Sequence, residues 1–364
     1  MSMRDIRRHI GQLAIAGFAG ETIPADLKTL AREFDLGGII LFARNVSAPE
    51  QVAEISREAR TMAQDLPLWV SVDQEGGRVA RLKAPFTIWP PMMTLGRSGD
   101  ERLAERFAVA LAAELQAVGI TLDYTPVLDI LTNPKNPVIG DRALAGRAED
   151  VARLGRTIVR VLQREGIAAC GKHFPGHGDT AVDSHHELPL IEHSPDRIAA
   201  VELVPFRAAI EEGVAAIMTA HILIPAFDDE RPATLSPAIV DSLLKRQLGF
   251  GGLVLSDDLE MRAISGRYGI PEATVAAITA GCDAVLMCGA SQEPQAAALE
   301  ALIKAVETGT LPVKRVEDAL ARHRRVKERF LAAARPAPLT GSALRAALGR
   351  DEHQAVAAEM ARFV

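Results

Sequence analysis

The sequence predicts an α/β protein, specifically a single-domain (β/α)8 barrel with a short helical extension at its C-terminus. Three observations predict it. Eight short apolar segments rich in Val, Ile and Leu recur along the chain, each too short for an ordinary helix. Amphipathic helical patterns separate them, and uninterrupted apolar runs are typical of parallel strands buried on both faces. The length of 364 residues fits a barrel of about 250 residues with insertions.

The first predicted strand has an alternative interpretation. Arginines at 4, 7 and 8 precede the apolar residues 10–20, which resembles a secretion signal. Gln12 interrupts this short run, so we favour a buried strand and expect a cytoplasmic protein. No apolar run reaches the roughly 18–20 residues of a membrane span. The predicted strands cover residues 10–20, 36–42, 66–73, 122–129, 167–174, 215–221, 252–257 and 282–288.

Helix boundaries are predicted from capping residues. Ser caps a helix start and Pro fits its first turn, while Gly closes a helix in the left-handed conformation. Residues 102–118 predict an Ala-rich amphipathic helix. The predicted starts are Ser47 with Pro49, Ser194-Pro195 and Ser236-Pro237, and the predicted ends are Gly119, Gly166, Gly213, Gly249 and Gly281.

The domain organisation follows from the same alternation, which shows no break into two domains. A Pro-containing segment at 335–338 is the one compositional boundary. We therefore predict a catalytic barrel over residues 1–334, then a linker and one C-terminal helix within residues 335–364. The early glycines do not form G-x-G-x-x-G, which argues against a doubly wound dinucleotide-binding sheet.

Composition excludes several classes of function. Lys and Arg total 41 against 47 Asp and Glu, a net charge of −6, so nucleic acid is a poor candidate partner. Three cysteines without a C-x-x-C pair indicate neither a disulfide framework nor a zinc knuckle, and they fit a reducing compartment. With two Trp and two Tyr to stack on sugar rings, any carbohydrate ligand is expected to be short.

Ionisable residues follow five of the eight predicted strands. The active sites of such barrels lie at the C-terminal ends of the strands, so these residues are expected to meet in one polar pocket. They are Asp73, Asp129, Lys172 with His173, His221, and Asp257 with Asp258.

The segment 171–187 (GKHFPGHGDTAVDSHHE) is the densest in chemistry-bearing side chains. In an extended loop, Asp183 and His185 point to the same side. The carboxylate can then orient one imidazole nitrogen and leave the other to transfer protons. Ser184 lacks the G-x-S-x-G context of a nucleophile. His186 and His193 are expected at the surface.

Asp257 has two interpretations that the sequence leaves open. It ends an apolar run, and a carboxylate facing the pocket there can attack the anomeric carbon of a sugar. Alternatively, it caps the following helix together with Ser256 or Asp258.

Several motifs together resemble those of family 3 glycoside hydrolases, and more narrowly the bacterial β-N-acetylhexosaminidases of peptidoglycan recycling. The resemblance runs in order from about residue 10 to 330. The matching segments are 71–81 (SVDQEGGRVAR), 122–130 (LDYTPVLDI), 139–144 (IGDRAL), 171–185 (GKHFPGHGDTAVDSH) and 256–261 (SDDLEM).

The resemblance implies a role for each matching residue. Asp257 corresponds to the nucleophile, His185 to the general acid/base and Asp183 to its partner. The implied reaction is retaining removal of terminal N-acetylglucosamine from β-1,4-linked 1,6-anhydro-N-acetylmuramic acid, without metal or cofactor. The implied partner is a small sugar or muropeptide, with no nucleic acid or membrane, and the chain is expected to be a monomer or weak dimer. The residues implied to bind the sugar are Asp73, Arg81, Arg142, Lys172 and His173.

Other functions remain open at this stage. A metal-dependent barrel hydrolase is one, although the first strand lacks the H-x-H pair common in such enzymes. Another family 3 β-glycosidase is a second, and a sugar-binding protein without catalysis is a third. Phosphate replacing water as the acceptor is a side hypothesis. The metal alternative would use His173, His177, His185, His221 and Asp257.

Overall fold

The computed structural model describes residues 2–62, 67–331 and 336–364. Eight parallel strands follow one another in chain order around a closed barrel, and the pairing of the last strand with the first completes it. The predicted (β/α)8 fold is confirmed. The strands are β1 (Ala14–Ala16), β2 (Gly38–Leu41), β3 (Trp69–Val72), β4 (Leu122–Asp123), β5 (Ala168–Phe174), β6 (Ala216–Thr219), β7 (Leu253–Asp258) and β8 (Ala284–Met287).

Helices surround the barrel and extend beyond it. None of those in the described ranges is both long and apolar enough to cross a membrane. A π-helical segment, Ala238–Gln247, takes the place of an α-helix between β6 and β7. The α-helices are α1 (Met3–His9), α2 (Ala25–Phe34), α3 (Pro49–Met62), α4 (Met93–Ser98), α5 (Glu101–Ala117), α6 (Ala148–Arg164), α7 (Pro195–Ala200), α8 (Leu203–Glu211), α9 (Arg262–Ser265), α10 (Ile270–Ala280), α11 (Glu293–Glu307), α12 (Val313–Phe330), α13 (Gly341–Ala347) and α14 (Asp351–Ala361).

All eight predicted strands are present, but two are much shorter than predicted. Of residues 10–20, only β1 is extended, because Ile10–Leu13 winds into a 3-10 helix directly after α1. Of residues 122–129, only β4 is a strand. Pro126 lacks the N–H that an unbroken ladder requires, and pairing with β5 resumes after it as an isolated bridge of Val127 with Lys172, so Asp129 lies beyond the strand rather than at its end.

The predicted capping residues are largely confirmed. The five glycines at 119, 166, 213, 249 and 281 all have positive φ. Helices α3 and α7 begin at Pro49 and Pro195, and the Ser194 hydroxyl accepts from the Arg197 amide. Ser236-Pro237 precedes the π-helical segment instead of an α-helix. The predicted helix over 102–118 is α5.

The C-terminal segment forms two helices, α13 and α14, where one was predicted. Both pack on α5, and the buried Glu114 of α5 forms hydrogen bonds with this segment. Its carboxylate accepts from the Gly349 amide, from His353 Nδ1 and from Thr87. The proposed boundary at residues 334 and 335 lies outside the described residues and stays a prediction.

Apolar side chains fill the N-terminal half of the barrel. Trp69, at the start of β3, packs against Phe330 at the end of α12, with ring centroids 6.5 Å apart. Both belong to a cluster that includes Ile15, Leu122 and Leu255 from the barrel strands. Among the described residues, this packing fills the N-terminal end of the barrel.

Candidate active site

A cavity of about 410 Å³ opens at the C-terminal ends of the barrel strands. All eight residues predicted for catalysis or sugar binding line it, whereas Asp129 and His221, which were also expected in the pocket, are buried and do not. Asp73 follows β3, Lys172 and His173 belong to β5, and Asp257 belongs to β7. The eight residues that line it as predicted are Asp73, Arg81, Arg142, Lys172, His173, Asp183, His185 and Asp257.

A buried ion network forms one wall of the cavity. Lys172 Nζ lies 2.7 Å from Asp73 Oδ1 and 2.6 Å from Glu75 Oε1. Arg142 donates two hydrogen bonds to Glu75, at 2.9 and 2.8 Å. Burial alone would raise the pKa of Glu75, but Arg142 and Lys172 hold it well below the usual value. Burial likewise works against the charged form of Lys172, yet Asp73 and Glu75 raise its pKa.

Glu75 was missing from the predicted site residues, although it stands in the same motif as Asp73. It lies behind the cavity, fully buried, and aligns Lys172 and Arg142. Asp73 also receives Arg81 Nη2 at 3.3 Å, and the Arg81 guanidinium stacks 5.3 Å from the centroid of the Phe42 ring. Two cations thus hold the Asp73 carboxylate in place at the cavity wall.

Asp129 orients His173 from behind the cavity. His173 Nδ1 donates to Asp129 Oδ2 at 2.6 Å, which turns Nε2 towards Arg142 Nη2 at 3.5 Å. Asp129 also accepts from the backbone N–H of His177 at 2.6 Å. Burial would raise the pKa of Asp129, but the neighbouring His173 lowers it. Asp129 is therefore a support for His173 rather than a ligand in the cavity.

The Asp257 carboxylate faces the cavity from the end of β7. Its Oδ1 accepts from the Asp258 amide at 2.8 Å. Burial favours a raised pKa, but His221 and His173 outweigh it, so the pKa of Asp257 is lowered and the carboxylate is ionised. Helix α9 begins only at Arg262, so Asp257 does not cap it. Of the two interpretations of Asp257, the structure agrees with the one that places it in the pocket.

The pKa of the neighbouring Asp258 is shifted in the opposite direction. Burial raises the pKa of its carboxyl to about 6. Its Oδ1 accepts from the Glu260 and Cys288 amides, each at 3.1 Å. Both Asp258 and Glu260 line the cavity, and the sequence did not single out either as a binding residue. The pKa values of two adjacent carboxyls of the same motif are thus shifted in opposite directions.

Asp183 and His185 form a hydrogen-bonded pair at the mouth of the cavity. His185 donates to Asp183 Oδ1 from both its backbone N–H, at 2.8 Å, and its Nδ1, at 2.7 Å. The expected extended loop is wrong here, because the backbone turns and His186 N–H bonds to the Asp183 carbonyl at 2.9 Å. The pair forms because Asp183 caps this turn. His185 Nε2 is left for proton transfer.

The pKa of Asp183 is below its usual value. Partial burial works to raise it, but the hydrogen bonds from His185 lower it further. The His185 side chain is 60% exposed, whereas that of Asp183 is 28% exposed. The charged Asp183 carboxylate therefore accepts a hydrogen bond from an imidazole ring that is open to the solvent at the cavity mouth.

Three other histidines around the site, His177, His193 and His221, bond to protein groups. His186 is exposed, as expected, while His193 is partly buried and its Nε2 pairs with Asp179 at 2.6 Å. His177 and His221 are buried, and His221 Nε2 donates to the Asp258 carbonyl at 2.9 Å. Within residues 2–62, 67–331 and 336–364, no group of three or more His, Cys, Asp or Glu side chains is arranged to hold a metal ion.

Comparison with known proteins decides the family. The glycosyl hydrolase family 3 N-terminal domain matches residues 5–326. The chain belongs to glycosyl hydrolase family 3. The match confirms the resemblance derived from the sequence motifs. Family 3 consists of glycosidases, so the match bears on the activity as well as on the fold.

Proteins similar to this family 3 chain are named β-hexosaminidase or β-N-acetylglucosaminidase. The β-hexosaminidase of Methylobacillus flagellatus is 41% identical over 259 residues, covering 70% of this chain and 73% of that protein. A family 3 β-N-acetylglucosaminidase from Paenibacillus sp. str. FPU-7 superposes with a TM-score of 0.93 at 43% identity, over 98% of this chain and 68% of that one. NagZ from Neisseria gonorrhoeae in complex with N-trifluoroacetyl-D-glucosamine gives 0.77 at 34% identity, over 96% and 97%.

Proposed function

We propose that this family 3 chain is a retaining exo-β-N-acetylglucosaminidase that acts through a glycosyl-aspartate intermediate. The observation that carries the proposal is that an ionised Asp257 and the Asp183–His185 pair line one cavity. A retaining glycosidase needs a carboxylate nucleophile and a second group that alternates as acid and base. Here an imidazole held by Asp183 takes the second role, which is usually a carboxyl group.

The first step joins the sugar to Asp257. An Asp257 oxygen attacks the anomeric carbon while the bond from that carbon to the leaving oxygen breaks. His185, protonated on both nitrogens, gives its Nε2 proton to the leaving oxygen and keeps its Nδ1–H on Asp183. The negative charge of Asp183 stabilises the imidazolium before transfer.

The second step releases the sugar. Neutral His185 takes a proton from water through Nε2, the oxygen of that water attacks the anomeric carbon, and the bond to Asp257 breaks. Two displacements restore the β configuration, His185 is again protonated and Asp257 is again free.

The buried cations and Asp73 support recognition of a single terminal sugar. Asp73, Arg81 and Lys172 bind ring hydroxyls, and Arg142 with His173 completes the wall. Apolar side chains close the floor of the barrel beneath this wall, and binding of a terminal ring above that floor would give the exo mode of attack. The names of the relatives support N-acetylglucosamine as that ring.

We further propose 1,6-anhydro-N-acetylmuramic acid, with or without peptide, as the leaving group, and cell-wall recycling in the cytoplasm as the setting. Arg44 and Arg78 on the cavity wall support this aglycone, because its lactyl group, or a peptide attached to that group, carries a carboxylate. The resemblance of the sequence motifs to the β-N-acetylhexosaminidases of peptidoglycan recycling supports the same choice.

The covalent step is tested with 4-nitrophenyl N-acetyl-β-D-glucosaminide and a fluorinated amino-sugar inactivator. We expect hydrolysis with release of the β anomer, and mass spectrometry should find the sugar on the peptide containing Asp257. Label on another peptide, or an α product, would contradict the mechanism. Preference for 4-nitrophenyl β-D-glucoside would instead favour the alternative of another family 3 β-glycosidase.

The aglycone is tested separately by comparing kcat/KM for the anhydromuramic disaccharide and for N,N′-diacetylchitobiose. A higher value for the anhydromuramic disaccharide supports the recycling role, and Arg44→Met should reduce this preference. A higher value for chitobiose would leave the glycosidase intact and refute the proposed leaving group.

A further inference from the structure

Ser184 stands between the two residues of the catalytic pair, and all three line the cavity. Asp183 and His185 lie at its mouth, whereas Ser184 is buried, with 2% exposure. Its Oγ lies 3.0 Å from His177 Nε2. The Ser184 carbonyl also accepts from the Ala263 N–H, at 3.3 Å, in the segment after Asp257. The turn that holds the pair is therefore bonded to the barrel through its central residue.

His177 is a rigid partner for this bond. Its backbone N–H donates to Asp129, and its carbonyl accepts from the Asn136 side chain at 2.8 Å. The adjacent Gly178 packs so closely on the Ile130 carbonyl oxygen that a Cβ there would lie 1.7 Å from it. No side chain fits in that space, which fixes the backbone next to His177.

The direction of the His177–Ser184 bond follows from the neighbouring groups. Thr180 Oγ1 donates its only proton to the His177 carbonyl at 3.0 Å. It must then accept from His177 Nδ1, at 2.8 Å, so Nδ1 carries the ring proton. Nε2 is the acceptor, and the Ser184 hydroxyl donates to it. Ala cannot replace this donor, whereas Thr can.

The same chain of contacts leads to the sugar-binding wall. Asp129 accepts from the backbone of His177 and from the ring of His173, which lines the cavity next to Arg142. The catalytic turn is thus connected to the group that contacts the sugar through Ser184, His177, Asp129 and His173. The position of the acid/base is set relative to the bound ring by these contacts, and not by the exposed turn alone.

We propose that Ser184 is a positioning residue for catalysis: its hydroxyl bond to His177 fastens the Asp183–His185 turn over the scissile bond. The proposal rests on the proposed function, since it assigns His185 the proton transfers. Ser184 itself touches neither substrate nor nucleophile in this role. Without the bond, the turn still forms its internal hydrogen bonds, but His185 is held less firmly over the leaving oxygen.

The test uses kcat/KM of the full chain on two aryl N-acetyl-β-D-glucosaminides. One has 2,4-dinitrophenol as the leaving group, which departs without protonation, and the other has phenol, which needs it. For Ser184→Ala we expect a loss of roughly ten- to a hundredfold on the phenyl substrate. On the dinitrophenyl substrate we expect a change of less than about threefold. Ser184→Thr, which keeps the donor, should recover most of the loss.

Two further variants make the outcome decisive. Ser194→Ala removes a serine hydroxyl that bonds to the Arg197 amide in the same β5–α7 connection, and it should lower neither activity. His177→Leu removes the acceptor of the same bond and should reproduce the Ser184→Ala profile, even if Ser184→Ala itself fails to fold. Equal losses on both substrates would show a general structural role and overturn the proposal. A wild-type chain inactive on both substrates would refute the proposed function itself.

Discussion

His185 Nδ1 lies 2.7 Å from Asp183 Oδ1, and the same carboxylate oxygen accepts the backbone N–H of His185. One acceptor therefore fixes both the turn and the tautomer of the ring. Asp183 holds its partner in a local unit of three residues, which explains how a largely exposed imidazole keeps a defined orientation at the mouth of the cavity.

His185→Ala should affect substrates according to their leaving groups. Protonation by a positioned acid contributes roughly 10²–10⁴-fold, so kcat/KM for the phenyl glycoside is expected to fall within that range. The dinitrophenyl glycoside should lose little in kcat/KM, because its leaving group departs as a stable anion. Added azide should restore turnover and yield the β-glycosyl azide. Equal losses on both glycosides would argue against acid catalysis by His185.

Asp183→Asn should move the alkaline limb of the pH profile to lower pH. Asn keeps the acceptor oxygen but removes the negative charge that stabilises the imidazolium. The pKa of Asp183 lies below its usual value, so the carboxylate is charged throughout the neutral range in the wild type. The measurement is kcat/KM against pH with the phenyl glycoside. Asp179→Asn, which alters the Asp179–His193 pair of the same connection, is the control and should leave the limb in place.

Asp258→Asn should change how stability depends on pH. In the folded chain the Asp258 carboxyl has a pKa of about 6, against 3.8 for the usual side chain. Between these values the folded state binds more protons than the unfolded state, so its stability falls as pH rises through this window. Relative to Asp258→Asn, the wild type should lose roughly 2 kcal/mol of unfolding free energy between about pH 4 and 6. Urea unfolding at several pH values measures it, and a constant difference would contradict the prediction.

Glu75→Gln should destabilise the fold more than the loss of a surface ion pair. The substitution leaves Arg142 and Lys172 buried with one carboxylate fewer. Breaking a buried pair in this way costs about 3–5 kcal/mol. Asp141→Asn, which breaks the half-exposed pair with Arg78, is the control and should cost less than about 1 kcal/mol. Urea unfolding of both variants at one pH compares them, and similar losses would show that the Glu75 network adds no stability of its own.

Much of the fold was predictable because its signals are local. Strand β7 is an apolar run ending in two acids, and the start of α7 carries its own cap at Ser194. The exceptions have local causes too. Pro126 ends β4 early, and the 3-10 helix at 10–13 shortens β1, since apolar composition alone does not separate a strand from a buried turn of helix.

The predicted site residues were found together because they stand in motifs that the family resemblance covers, and the cavity contains all eight. The same reasoning missed Glu75, although it lies two residues from Asp73. It also left Asp129 without a role. Both are buried supports, and a single sequence shows no difference between a carboxylate that meets substrate and one that holds another side chain.

By itself, the sequence determined the number and order of the strands, the family and the residues that reach the cavity. These depend on patterns within a few neighbouring positions. Only the tertiary structure decided the partners: Glu75 with Arg142 across 67 residues, and Asp129 with His173 across 44. Such pairs form because the closed barrel brings the ends of different strands to one rim, and no local pattern encodes which charge will be buried against which.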